Sequence, residues 1–274
     1  MAFWPSGRVG AVSLTFDDGL ESQLLLAVPE LERRGIRASF YINPVGREDR
    51  DDVGSSWRDR LQAWRSVHET GHEIGNHSLL HPCSLNIDTE RSWGSPSLRD
   101  WTLERIEQDV LEAQRRLDLA FPAQSRTFAY PCYETSVGTG EGRRSYVPFI
   151  ARTFAAARAW GELSGTLAND PAHCDLHHLS SYPVERQSGA TMVGLAESAT
   201  VRGRWAVFTF HGIHEGSLSI GLDDLVELLE YLHRRSGEIW TAPVREVAAH
   251  VSVGRSQAAT DRTTPPFDRT DHPR

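Results

Sequence analysis

The chain reads as an α/β protein on a parallel sheet, and three observations predict this. Short strand-like runs alternate with helical ones along most of its length. Several of those runs end in carboxylates or imidazoles, where α/β folds keep their chemistry. Its 274 residues, 39% hydrophobic and 24% charged, suffice for one large core but not for a second full domain.

Strand-like runs lie at 9–16, 38–42, 73–76, 126–130, 154–159 and 205–210, with a short one at 238–240. Helical patterns fall at 22–34, 58–70, 100–119, 190–201 and 222–235. The third carries Leu103, Ile106, Val110, Leu111 and Leu117 at helical spacing. Repeated strand-then-helix order makes about seven strands parallel, in a sheet that is open or closed into a barrel. Two loops, 43–56 and 82–97, are longer than connection requires and shape access to whatever site they flank. One domain is expected over 1–254, followed by a disordered tail over 255–274, rich in Thr, Asp, Arg and Pro.

A formal net charge of −8 and a pI near 5.8 give no basic footprint for nucleic acid or an anionic membrane. No run approaches the ~20 apolar residues of a membrane span. The opening Met-Ala-Phe-Trp-Pro-Ser-Gly lacks the features of a secretory leader, so the sequence as it stands reads as cytoplasmic; a removed leader would make it secreted. Cys83, Cys132 and Cys174 are too few for a disulfide framework and agree with a reducing compartment. The sequence carries no signal for an oligomeric state.

Thr15-Phe16-Asp17-Asp18-Gly19 places two adjacent carboxylates at the end of the first strand. Neighbouring residues leaving a strand point apart, so one carboxylate can bind a cation while the other moves protons. His77-Ser78-Leu79-Leu80-His81 follows a second short strand. On a helical turn imidazoles at i and i+4 share a face, and with one carboxylate they make a three-ligand site that keeps a position open for water. Each motif has a plainer reading. Asp-Asp-Gly also forms simple turns, and His-x-x-x-His also occurs on surfaces. Their joint placement after strands favours a metal site. A second cluster, His173-Cys174-Asp175-Leu176-His177-His178, has ligand chemistry but no second Cys-x-x-Cys half, so solvent-facing histidines are the default there.

With Gly71-His72-Glu73-Ile74-Gly75-Asn76 leading into the His pair, then Phe128-Ala129-Tyr130-Pro131 and Phe208-Thr209-Phe210-His211, the ordered motifs resemble those of the polysaccharide deacetylase family, carbohydrate esterase family 4 with its NodB-homology domain. The resemblance covers about residues 9–250. It implies a distorted (β/α) barrel, a divalent metal, and hydrolytic removal of acetyl groups from N- or O-acetylated carbohydrate. By the resemblance, Asp17 is the general base, Asp18, His77 and His81 are metal ligands, and His211 is the general acid. His214 is the rival for the acid, on a loop past Gly212. Zn2+ suits two imidazoles and a carboxylate, with Co2+, Ni2+ or Mn2+ also accommodated.

Where many relatives carry an arginine that holds the base, this chain has Ala129. Arg158, near the end of the 154–159 run, is the candidate to supply that guanidinium from another strand, the alternative being a surface arginine. The backbone N–H of Cys132, past the motif proline, is the implied oxyanion donor, beside Tyr130. Cys83 and Cys132 each follow a proline next to a motif and are expected close together as packed thiols rather than as a disulfide. Among eight tryptophans, Trp93 and Trp160 are the candidates for stacking on a sugar. Two other readings stay open: hydrolysis of a non-sugar amide or cyclic imide on the same fold, and an idle carbohydrate-binding relative.

Overall fold

The computed structural model describes residues 3–84, 96–122, 125–160 and 168–263. Among the described residues ten strands form: β1 (Gly10–Asp17), β2 (Ser39–Ile42), β3 (Glu73–Asn76), β4 (Phe128–Ala129), β5 (Ser136–Val137), β6 (Arg144–Ser145), β7 (Ala157–Arg158), β8 (Tyr182–Pro183), β9 (Trp205–Phe210) and β10 (Ile239–Thr241). The helices are α1 (Val28–Arg33), α2 (Trp57–Gln62), α3 (Arg65–Glu69), α4 (Leu103–Ala120), α5 (Val147–Thr153), α6 (Gly189–Val201), α7 (Leu222–Arg234) and α8 (Val244–Thr263).

The main sheet runs β7-β4-β3-β2-β1-β9-β8, with β10 pairing to the start of β1, and every pairing in it is parallel. Seven strands along one path give the distorted barrel expected from the motifs. The chain leading into β8 meets the far edge: Leu179 N–H donates to Ala157 O at 2.9 Å and Ala159 N–H to Leu179 O at 2.8 Å.

β1 is central and buried along its whole length, which is why its apolar residues do not alternate with charged ones. Its polar side chains bond to neighbouring backbone instead, Ser13 Oγ to Ala242 O and Thr15 Oγ to Phe208 O, both at 2.7 Å. Phe16 stacks between Phe40 and Phe210, at 5.0 and 4.9 Å, and locks β2, β1 and β9 into register just below the strand ends. Gly75 in β3 makes room for the next layer, since a Cβ there would lie 2.4 Å from the Tyr41 ring. α4 starts at Thr102, whose hydroxyl accepts from Arg105 N–H, and buries Ile106, Val110, Ala113 and Leu117.

Several expectations change. The 22–34 helix opens as a π-helical stretch, Gln23–Ala27, before α1. The 58–70 pattern splits into α2 and α3. α5, β8 and the β5–β6 hairpin carry no strong sequence signal, being short and, for β8, ending in proline. α8 continues to Thr263, past residue 254 where the folded part was expected to end; residues 264–274 lie outside the described residues. Val244, Val247, Ala248 and Val251 bury its inner face. No described helix is long and apolar enough to cross a membrane.

Candidate active site and metal centre

The C-terminal ends of the parallel strands converge on one region. Asp17 ends β1, Arg158 ends β7, His77 follows β3 and His211 follows β9. Asp18 leaves β1 in a left-handed conformation, φ 75°, and Gly19 continues it at φ 63°. That bend turns the second carboxylate away from the first.

Asp18, His77 and His81 bring one ligand atom each to within 4.8 Å of one another. Asp18 Oδ1 lies 3.6 Å from His77 Nε2 and 3.5 Å from His81 Nε2. His77 Nδ1 bonds to Ala129 O at 2.8 Å; a carbonyl can only accept, so Nδ1 carries the proton and the Nε2 lone pair faces the cluster. Burial holds the His77 imidazole neutral, lowering its pKa to about 4. A neutral imidazole oriented by its other nitrogen, beside a second imidazole and a carboxylate, fits a divalent ion.

The imidazole pair is not on a helical turn. Ser78 and His81 have φ 63° and 49°, and the segment is held as a loop by side chains bonded to its backbone. Asn76 Oδ1 accepts from Ser78 N–H at 2.8 Å, and the Asp109 carboxylate on α4 accepts from Leu79 N–H at 2.8 Å and Leu80 N–H at 3.1 Å. Ser78 Oγ accepts from His81 N–H at 3.1 Å. Asn43 donates to the His77 and Ser78 carbonyls.

Asp17 is 3% exposed and Arg158 fully buried, and Arg158 Nη2 donates to Asp17 Oδ2. Arg158 Nη1 donates to Thr209 Oγ at 3.0 Å, and Tyr41 and Tyr133 flank the guanidinium at 5.6 and 5.2 Å. Burial alone would lower the Arg158 pKa, but Asp17 and the two tyrosines outweigh it and raise it, so the guanidinium stays charged. Asp17 Oδ1 is buried with no hydrogen-bond partner among the described residues. His211 Nε2 sits 4.0 Å from Asp17 Oδ2, and its Nδ1 lies 3.7 Å from Glu185 just past β8.

His214 points elsewhere, with Nε2 accepting from Leu222 N–H at the start of α7. Tyr130 also departs from expectation. Its ring packs on Phe128 and Tyr146, and its hydroxyl donates to His177 O, because strand alternation turns it into the core. Trp160, 48% exposed, meets Tyr133 edge-on at 5.1 Å on the rim. Trp93 lies outside the described residues. His173, Cys174 and His177 engage Asp170, Arg255 and the Phe154 carbonyl separately, and Asp18, His77 and His81 form the only ligand cluster found among the described residues.

Cys83 and Cys132 form a disulfide, with Cα atoms 5.7 Å apart, which corrects the expectation of two thiols; Cys174 is free. The left-handed backbone of Cys132, φ 49°, is part of the close turn past β4 that meets the end of the His81 loop. Glu134 Oε2 accepts from Ser84 N–H beside it, joining the same two loops. Such a bond persists in oxidising compartments rather than reducing ones. Glu185, Tyr133, Gln23 and Asp109 are the site residues that sequence reasoning missed, since none stands in a motif.

A family model described as polysaccharide deacetylase matches residues 6–142. A chitooligosaccharide deacetylase of Sinorhizobium fredii is 30% identical over 124 residues, which are 44% of this chain and 46% of that protein. The chain thus matches under half of that relative's length. Among solved structures, the peptidoglycan deacetylase PdaC of Bacillus subtilis superposes with a TM-score of 0.55 at 14% identity, covering 95% of this chain and all of that one. A family 4 acetyl xylan esterase of Clostridium thermocellum, in complex with a cobalt ion, superposes at 0.51 and 16% identity, covering 89% and 96%. With strand order, site geometry and the matched motifs in agreement, the chain belongs to the polysaccharide deacetylase family.

Proposed function

We propose that this chain is a divalent-metal-dependent hydrolase that removes acetyl groups from N- or O-acetylated carbohydrate, with Asp18, His77 and His81 holding the ion. The observation that carries the reading is the unequal treatment of two neighbouring carboxylates. Asp18 Oδ1 faces both imidazoles, while Asp17 Oδ2 is bound by Arg158 and lies 3.7 Å from His77 Nε2, and Asp17 Oδ1 is buried with no partner among the described residues. A buried carboxylate oxygen left without a donor is an acceptor waiting for a proton.

The bound ion would supply Lewis acidity toward the acyl oxygen and a water. Asp17 accepts that water's proton on Oδ1, and Arg158 fixes the carboxylate's plane while it does so. The backbone N–H of Cys132, on the turn past β4, donates to the developing oxyanion. His211, across from Asp17, protonates the departing amine or alcohol, with Glu185 3.7 Å from its Nδ1. Trp160, edge-on to Tyr133 at the rim, offers an apolar ring face to a pyranose. Zn2+ is the ion the donor set suits best.

Acetate release from acetylated chitooligosaccharide, acetylxylan and peptidoglycan fragments, with Zn2+, Co2+ or chelator, tests the reading. One of these substrates should turn over, chelator should stop it, and Asp17→Asn should lower kcat by roughly 10²–10⁴-fold. Full activity in Asp17→Asn would refute the assignment of the base. No turnover of any substrate would leave binding as the function.

A further inference from the structure

We propose that Gln23 is a positioning residue for this reaction, setting the peptide between Asp17 and Asp18 and the main chain of His211 with one side-chain amide. The inference rests on the reading of Asp17 as base, Asp18 as ligand and His211 as acid. Gln23 is fully buried, and its Nε2 donates to Asp17 O at 2.5 Å and to His211 O at 3.1 Å. An amide NH2 has two hydrogens, so both are used. The reverse orientation would set the side-chain oxygen against two carbonyls, which fixes the assignment.

The Asp17 carbonyl belongs to the peptide plane that joins the two carboxylates. Asp18 enters the left-handed region directly after it, a conformation a non-glycine residue holds only under constraint. Pinning that carbonyl sets the plane from which the base and the ligand diverge. The same donor pins the carbonyl of a residue 188 positions away, so β1 and β9 present Asp17 and His211 at a fixed separation. Gln23 begins the π-helical stretch, a wide turn that occurs often at functional sites. The residue before it adds two more ties to the β9 side: Ser22 Oγ accepts from Ile213 N–H at 3.0 Å, and Ser22 N–H donates to Glu215 at 2.9 Å.

The test compares Gln23→Leu, nearly the same shape with no donor, and Gln23→Asn, too short to reach both carbonyls, with Ser13→Ala. Ser13 stands on β1 like Asp17 but away from the site, and its replacement loses buried hydrogen bonds to Ala242 O and from Trp205 Nε1. Zn2+ titration of the metal-free proteins and steady-state kinetics are read well below each variant's Tm. Gln23→Leu should weaken Zn2+ binding and lower kcat about tenfold each, with KM within twofold. Gln23→Asn should fall between it and the wild type, and Ser13→Ala should match the wild type in both. A Gln23→Leu protein that loses stability yet keeps wild-type Zn2+ affinity and kcat would overturn the proposal; if it does not fold, the same result in Gln23→Asn would do so. Asp17→Asn and His211→Gln in the same assay separate the two claims. Activity retained in those variants sinks the assignment of base and acid, whereas their loss beside a fully active Gln23→Leu sinks only the role of Gln23.

Discussion

The two walls of the site are built by different devices. Asp17, Arg158 and His211 stand on or directly past β1, β7 and β9, so strand register and the stacked Phe16, Phe40 and Phe210 beneath them fix their spacing. His77 and His81 stand on a loop tied locally by Asn76 and Ser78 and from further away by Asn43, Asp109 on α4, and the Cys83–Cys132 bond. The first wall is rigid because the barrel is rigid. The second depends also on remote side chains that bond to its backbone, so damage to each wall should show in a different measurement.

The largest expected effect belongs to the strand wall. Arg158→Met leaves the Asp17 carboxylate buried without its cation, and removing one partner of a buried pair costs roughly 3–5 kcal/mol. Urea denaturation should show that loss, kcat should fall, and Zn2+ affinity should change little. A loss of Zn2+ binding equal to the loss of kcat would mean that the walls are not separable.

The loop wall sharpens the comparison through pH. His77 and His72 are buried and held near pKa 4 against 6.5 when unfolded, so the stability they contribute is present above pH 6.5 and is lost as pH falls toward 4. Asp109 opposes them. Burial raises it to about 6 from 3.8 despite the Leu79 and Leu80 N–H donors, so its contribution is present below 3.8 and is lost as pH rises through 6. Two histidines outweigh one carboxylate, and the metal-free protein should lose about 3 kcal/mol between pH 6.5 and 4. Replacing His77 by Gln should flatten that loss, as read by thermal unfolding across the range.

A smaller effect isolates the loop's support. Asp109→Asn keeps the shape but weakens the acceptors for Leu79 and Leu80, at about 1–2 kcal/mol. Weaker Zn2+ binding with little change in KM is expected. Unchanged Zn2+ affinity would show that the loop holds its form without α4.

These contrasts explain what could be read from the chain. The strand wall was legible because Asp17 and His211 directly follow or end runs of buried apolar residues, and Arg158 lies near the end of another strand-like run, although a surface position suited that arginine equally well. The histidines of the loop wall were legible by type and spacing, but not the loop's conformation, because Asn43 and Asp109 act from distant segments and look like ordinary loop and helix residues. Gln23 and Glu185 were invisible for the same reason: their roles depend on which carbonyl or imidazole the barrel brings beside them. The closeness of Cys83 and Cys132 was legible from the prolines before them, but not their bond, because residue spacing carries no information on the redox state of two adjacent thiols. α8 was not among the expected helices, because the short stripe of Val244, Val247, Ala248 and Val251 precedes a polar stretch that reads as a tail.

The central claim is that neighbouring carboxylates have separate tasks, Asp18 binding the ion and Asp17 left free. Zn2+ titration of the metal-free wild type, Asp18→Asn and Asp17→Asn by calorimetry tests it most directly. One ion per chain is predicted for the wild type and for Asp17→Asn, with binding lost or greatly weakened in Asp18→Asn. Retained binding in Asp18→Asn together with its loss in Asp17→Asn would contradict the account.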